Sequence, residues 1–283
     1  MTERRVLILT QQHLTAYAGQ AGQVRTEATF ELDEAGQADF RAWLERHRSA
    51  LMHLLVDLPD EGFQLETLPH VTGADRKALL ARKQNQLFFG TPYAMVRSLG
   101  RDKQGRRDEH FLFSALTRPQ ALEPWLQAMH EAAVAVAGIH TPALLLSRLL
   151  NRRMAEAPRL ILITLGSGGL RQSYFEHGQL RFSRLKPLGT GAIEEAAVNA
   201  YGEAVRIYQY LVGQRLLARD NKVPVLCLAN PAHFELLRRA CVDTEELHFS
   251  FADLRELAPG RQLAPDSDAS SLDPLLAHML LRH

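Results

Sequence analysis

Apolar positions along the chain fall into two patterns. Short runs rich in β-branched and aromatic residues end at turn residues, and longer runs repeat their apolar positions every three or four residues. The first pattern predicts strands over 6–9 and 14–18, an edge strand over 23–32, and an apolar strand over 52–58. It also predicts an extended segment over 62–69 that stops at Pro69, and strands over 93–99 and 110–116. The second pattern predicts a helix over 35–47 with Phe40, Trp43 and Leu44 on one side. A helix starting at Thr72 or Gly73 runs to Leu87, with acids early and bases later, as the helix dipole favours. Another covers 121–135 with Leu122, Trp125, Leu126 and Met129 inward. A short strand then precedes a turn at Thr141-Pro142 and a helix over 143–151.

The second half opens after a polar linker at 152–158. Leu160 to Leu165 reads as a buried strand, Gly166-Ser167-Gly168-Gly169 as a turn, and Gln172 to Glu176 as a second strand. His177-Gly178 closes a hairpin onto a third strand at 179–185, because a two-residue turn ending in glycine makes φ > 0 cheap. A long helix over 193–217 follows, with Ala196, Ala197, Ala200, Ala204, Ile207, Tyr208 and Leu211 on a broad face. Val223 to Ala229 is a buried strand, 231–241 a helix, and 246–251 a strand that runs into a turn or short helix over 251–257. The Pro-, Asp- and Ser-rich stretch 258–271 reads as a surface loop before a closing helix over 272–283. Both halves share the order strand, turn, strand, helix.

Composition narrows the function classes. At 283 residues the chain suits one large α/β unit or two subdomains. A formal net charge of +1 offers no long-range attraction to nucleic acid or anionic lipid. No apolar run is long enough to span a bilayer, and the N-terminus has no apolar core or cleavage site of a signal peptide. Cys227 and Cys241 read as reduced cysteines of a cytosolic protein. The histidines lack metal-ligand spacing, and Gly166-Ser167-Gly168-Gly169 fits neither the G-x-S-x-G nucleophile elbow nor a Walker loop. Asp57 and Asp60 end the strand over 52–58, but two-metal nuclease chemistry needs further converging acids, and the neighbouring strand ends carry Thr10 and Thr164.

The strand, glycine turn and hairpin of 159–191, followed by a helix from about Ala192, are similar to the start of each half in the actin, Hsp70 and sugar-kinase superfamily. Within it the chain resembles the actin-like proteins of type IV pilus and type II secretion assembly, of PilM and GspL cytoplasmic-domain type. The residues that carry this are the segment ending Leu68-Pro69, Ala137-Gly138-Ile139 with Pro142-Ala143-Leu144, the hairpin closing on Arg184-Leu185 and Pro187-Leu188-Gly189, and the strand over 223–228. The resemblance implies an α/β, actin-like (RNase H-like) fold of two subdomains, each a mixed sheet with flanking helices. Its halves would be 1–155, with a small α+β insertion at about 62–118, and 156–283.

The same resemblance points to where the chain departs. Thr10-Gln11-Gln12 stands where an Asp-x-Gly phosphate motif would begin, Thr164 stands for the acid of the second phosphate loop, and Ala229-Asn230 stands for the adenosine glycines. Magnesium wants carboxylate oxygens, so the expectation is a pseudo-ATPase with no catalytic residue, no metal and no cofactor, ATP with magnesium being the alternative. Gly166, Ser167, Gly168 and Gly169 remain as candidates for a residual phosphate contact, with a plain turn as the other reading. The resemblance implies a cytoplasmic scaffold, held at the inner membrane through a partner. That partner would be another protein of the assembly, such as a membrane protein's short cytoplasmic tail. Neither nucleic acid nor a membrane span is expected, and a homodimer is left open.

Overall fold

The computed structural model of the protein describes residues 3–20, 23–102, 104–105, 107–150, 157–187, 193–219, 222–254 and 272–282. β1 (Arg4–Leu9), β2 (His13–Gln20) and β3 (Gln23–Glu31) form an antiparallel meander. Helix α1 (Glu34–Arg46) starts at Asp33, whose carboxylate accepts from the Gly36 N–H at 2.8 Å. It leads to β4 (Leu51–Val56), parallel to β1. The chain then departs into β5 (Glu61–Leu68), α2 (Gly73–Leu87), β6 (Ala94–Arg101) and β7 (Glu109–Leu116), a small antiparallel sheet ordered β5-β7-β6. It returns through α3 (Glu123–Glu131) to β8 (Ala135–His140) and α4 (Pro142–Leu150).

The second half repeats the plan. β9 (Arg159–Gly166), β10 (Gly169–Glu176) and β11 (Gln179–Lys186) form the meander, α5 (Ile193–Gly213) crosses, and β12 (Val223–Ala229) lies parallel to β9. A short 3₁₀ turn and α6 (Phe234–Ala240) lead to β13 (Leu247–Asp253), and α7 (Asp273–Leu281) ends the described chain. The large sheets have equivalent orders, β3-β2-β1-β4-β8 and β11-β10-β9-β12-β13. This is the mixed α/β architecture with paired halves.

Alternation within the strands sorts side chains into layers, because successive residues point to opposite faces. Leu7 and Leu9 pack outward on α1 and α3 with Phe40, Trp43 and Trp125. Ile161 and Ile163 pack outward on α5 and α6 with Ala204, Leu211 and Leu237. The intervening residues, Val6 and Ile8 on β1 and Leu160 and Leu162 on β9, face inward to one shared cluster. Helices α4 and α7 fill that centre, and each crosses over: α4 lies on β11, and α7 lies on β1, β2 and β3.

Several boundaries differ from the sequence pattern. The helix expected over 121–135 opens with a 3₁₀ turn and ends at Glu131; Ala133 takes φ 53°, and Ala135 pairs with Leu51 instead. Strand pairing wins there because β4 would otherwise be left with an open edge. The helix expected to reach Leu217 ends at Gly213. Arg215, at φ 58°, and the 2.9 Å bond from Leu216 N–H to the Leu211 carbonyl close it as a Schellman cap. β10 begins at Gly169 rather than Gln172, and β13 carries on to Asp253. Most of the linker, the loop over 258–271 and the side chains of Ala196 and Ala197 lie outside the described residues.

Candidate functional site

The central strands of the two large sheets, β1 and β9, both end near a threonine. Thr10 follows β1 and Thr164 lies near the end of β9, each on the inward face and each about 1% exposed. The first turn satisfies itself. The Thr10 hydroxyl accepts from the Gln12 and His13 N–H groups, both at 3.2 Å, and donates to the His13 carbonyl at 3.1 Å. The amides that would greet a phosphate in that turn are therefore held by a side chain of the turn itself. Burial, opposed by Glu31, keeps the His13 imidazole below its ordinary pKa and so disfavours its charged form in the turn.

The second turn is tighter than its four-residue sequence reads. Gly166 ends β9, Ser167-Gly168 makes the reversal and Gly169 begins β10, so the segment is a two-residue β-hairpin loop. Its glycines answer close packing. A Cβ on Gly168 would lie 2.7 Å from the Asp57 carboxyl carbon, and Gly169, at φ 136°, passes under the Lys186 carbonyl. The Ser167 hydroxyl donates to Asp273, the first residue of α7, and the other Asp273 oxygen lies over Gly166. So the structure brings Gly166, Ser167, Gly168 and Gly169 together, and against them it sets two carboxylates from this chain, Asp57 and Asp273.

Arg171 answers Asp57. It sits on the inward face of β10, with its side chain 3% exposed. One guanidinium nitrogen donates to Asp57 at 2.6 Å; the other donates to Glu61 and, at 3.1 Å, to Ser183. Asp57 directly follows β4 and Glu61 starts β5, so this one arginine clasps the second half to the first. Burial pushes the Glu61 carboxyl up from its ordinary value, and the Arg171 charge opposes this. Burial pulls Arg171 down, but Glu61 and Asp57 together outweigh it and raise the guanidinium pKa. Asp57 was legible as an acid at a strand end; its cationic partner was not. The one available signal was an arginine inside Gly169–Glu176, a strand otherwise buried almost throughout.

A second feature lies in the first half, between the small sheet and β8 with α4. A cavity of about 150 Å³ is walled by Phe63, Tyr93, Met95, Ile139 and Leu144, with Glu61 and Thr141 at its polar side. It continues through Met95, Ile139, Thr141 and Leu144 into a wider section of about 360 Å³ that Arg97, His140 and Arg148 also line. β6 and β8 are edge strands of their sheets, and both contribute to this groove. No helix of the described residues is long and apolar enough to cross a membrane. Among the described residues no cluster of three or more His, Cys, Asp or Glu is placed to hold a metal ion.

Paired mixed sheets with exchanged closing helices make up an actin-like fold. A solved structure supports that assignment directly: the PilM-PilN type IV pilus biogenesis complex matches over 99% of this chain and 98% of that one, at 12% identity and a TM-score of 0.64. At that identity the likeness is one of fold. Looser matches are an actin-like ATPase-fold protein of unknown function from Bacteroides thetaiotaomicron (9% identity, 88% and 91% coverage, TM-score 0.47) and the cytoplasmic domain of EpsL, an inner membrane component of the type II secretion system of Vibrio cholerae. The EpsL domain covers 99% of this chain and 95% of its own at 12% identity and a TM-score of 0.44, and neither looser match carries weight. No protein-family model matches the sequence, and no curated protein does.

Proposed function

We propose that the protein is a non-catalytic actin-like scaffold that binds other proteins of a pilus- or secretion-type envelope assembly. One observation carries the reading. The glycine turn that would cradle phosphate is packed against the carboxylates of Asp57 and Asp273. An incoming phosphate would meet like charge there, and Arg171, the cation on Asp57, is already shared between Asp57 and Glu61. Thr10 and Thr164 supply no carboxylate oxygen for magnesium at the two strand ends, and the carboxylates beside the turn are engaged, Asp57 by Arg171 and Asp273 by Ser167. The residues present do not fit Mg-ATP, and no hydrolytic step is assigned to them.

The groove beside β6 and β8 is the surface we assign to the partner. β8 is a sheet edge without acidic or lysine side chains, Ala135-Val136-Ala137-Gly138-Ile139-His140, and its first three residues are exposed. Such an edge takes an added strand readily, because its backbone groups are unpaired on one side. An extended peptide, such as the short cytoplasmic tail of a membrane protein, would fit this geometry. The PilM-PilN complex is a protein–protein assembly of the same fold. In this reading the protein works in the cytoplasm, is held at the inner membrane through its partner, and has subdomains 1–155, with the insertion at about 62–118, and 156–283.

Thermal unfolding with and without millimolar Mg-ATP tests the nucleotide half of the proposal. No rise in midpoint is expected. A ligand at a hundredfold excess over its dissociation constant adds about 2.7 kcal/mol, several degrees for a chain of this size. A rise of that kind would favour the alternative, a nucleotide-binding protein whose Gly166–Gly169 turn still holds phosphate. The docking half is tested by affinity capture of membrane proteins with short cytoplasmic tails. Capture is expected with the native chain and not with Ile139→Arg, and capture unaffected by that substitution would move the partner elsewhere.

A further inference from the structure

The cavity holds an acid whose charge is only partly answered. The Glu61 side chain is 3% exposed, and its Oε2 accepts from Arg171. Its other oxygen, Oε1, is buried, and the one donor beside it is the neutral Thr141 hydroxyl, at a geometry too loose for a good hydrogen bond. Both residues line the 150 Å³ cavity. That volume is far above the ~10–15 Å³ that one water needs. Charge points the same way: Asp57 and Glu61 share the single guanidinium of Arg171, which leaves one negative charge in excess in this buried trio. A buried carboxylate oxygen answered only by a loosely placed neutral hydroxyl is costly, so a site of this kind gains from a cation that brings charged hydrogen-bond donors. The walls are apolar and aromatic, Phe63, Tyr93, Met95 and Leu144, and suit an alkyl stem behind the charged head.

We infer that this cavity is a subsite for a primary ammonium group on an alkyl chain, which donates to Glu61 Oε1 and Thr141 Oγ1 at the cavity base. A lysine side chain of the docking peptide is the occupant that fits. That identification rests on the groove reading above, whereas the subsite itself does not need it. The wider section carries Arg97 and Arg148, so it repels a second cation and orients a chain with its ammonium toward Glu61.

The probe is n-pentylammonium chloride, compared with 1-pentanol at equal concentration and with tetramethylammonium chloride at equal ionic strength, read by the unfolding midpoint. The native chain is expected to gain a saturable rise of roughly 2–4 °C with pentylammonium only. Glu61→Gln is expected to abolish it. Because that change also loosens Arg171, Ala94→Trp is tested alongside: it fills the cavity, leaves the clasp intact and is expected to abolish the rise too. An equal rise with pentanol would mean an apolar hole and overturn the inference. No rise with the amine would mean that water or a proton satisfies Glu61, and would overturn it as well. A rise that survives both substitutions would place the amine elsewhere. None of these outcomes bears on Mg-ATP or on capture by the groove, so failure of the subsite is distinguishable from failure of the scaffold reading.

Discussion

Arg171 is the residue on which the contact between the halves turns. Replacing it with methionine keeps much of the volume but leaves Asp57 and Glu61 buried with no cation. Removing one partner of a buried ion pair costs about 3–5 kcal/mol, and a fall of that order in urea-unfolding stability is the expected outcome. Glu109 plays a similar part inside the small sheet. It is 4% exposed and takes bonds from Arg76 and Ser98, both at 2.6 Å, and from His70 at 3.4 Å, which ties α2 to β7. Burial alone would raise its pKa, but the bonds from Arg76, Ser98 and His70 hold it down at about 2 against an ordinary 4.5. Its folded pKa is depressed, so its stabilisation is present above pH 4.5 and is lost as the pH falls from there toward 2. Glu109→Gln is expected to cost about 1–3 kcal/mol at pH 7. It should also flatten the acid limb, which unfolding measured between pH 7 and 3 would show; an unchanged limb would remove Glu109 as its cause.

At the scale of elements, the β9–β10 hairpin shows how far local pattern reaches. The strands were legible because Leu160–Leu165 is continuously apolar and bounded by glycines. By composition the turn reads as four residues, Gly166 to Gly169, that make either a plain turn or a residual phosphate contact. Its actual length was set by the ladder, in which Gly166 pairs with Gly169. The reason for glycine at position 168 is likewise tertiary, a carboxylate arriving from the end of β4. Gly168→Ala should therefore destabilise by roughly 1–3 kcal/mol through overpacking. A neutral effect in thermal or urea unfolding would show that Asp57 swings clear of the turn. The ends of α3 and α5 escape the pattern for a related reason. Their apolar periodicity continues past the helix, and only left-handed residues at Ala133 and Arg215 mark where the backbone leaves it.

Across the whole molecule the halves are interleaved rather than merely adjacent. α7 follows the second sheet in sequence and covers the first, while α4 follows the first sheet and packs on β11. One inward cluster draws on β1, β9, α4 and α7 together. Unfolding either half strips apolar cover from the other, so a single cooperative transition is expected. Trp43 and Trp125 both lie in the first half. Their fluorescence should change at the same urea concentration as far-UV circular dichroism, which reports both halves. Separated midpoints would mean that the interleaving contributes little.

What the sequence determined alone was the alternation of apolar positions, and with it nearly every strand and helix, the repeated order of the halves and the threonines at both central strand ends. Those features are local: a period of two or 3.6 and a glycine at a turn need no distant partner. The clasp needed tertiary structure, because Arg171 and Asp57 lie 114 positions apart and nothing near either names the other. The filling of the glycine turn, the exchange of α4 and α7 and the acid facing the cavity share that origin. Each is a contact between segments that only chain closure brings together, and the energies that select it depend on burial, which sequence pattern does not measure.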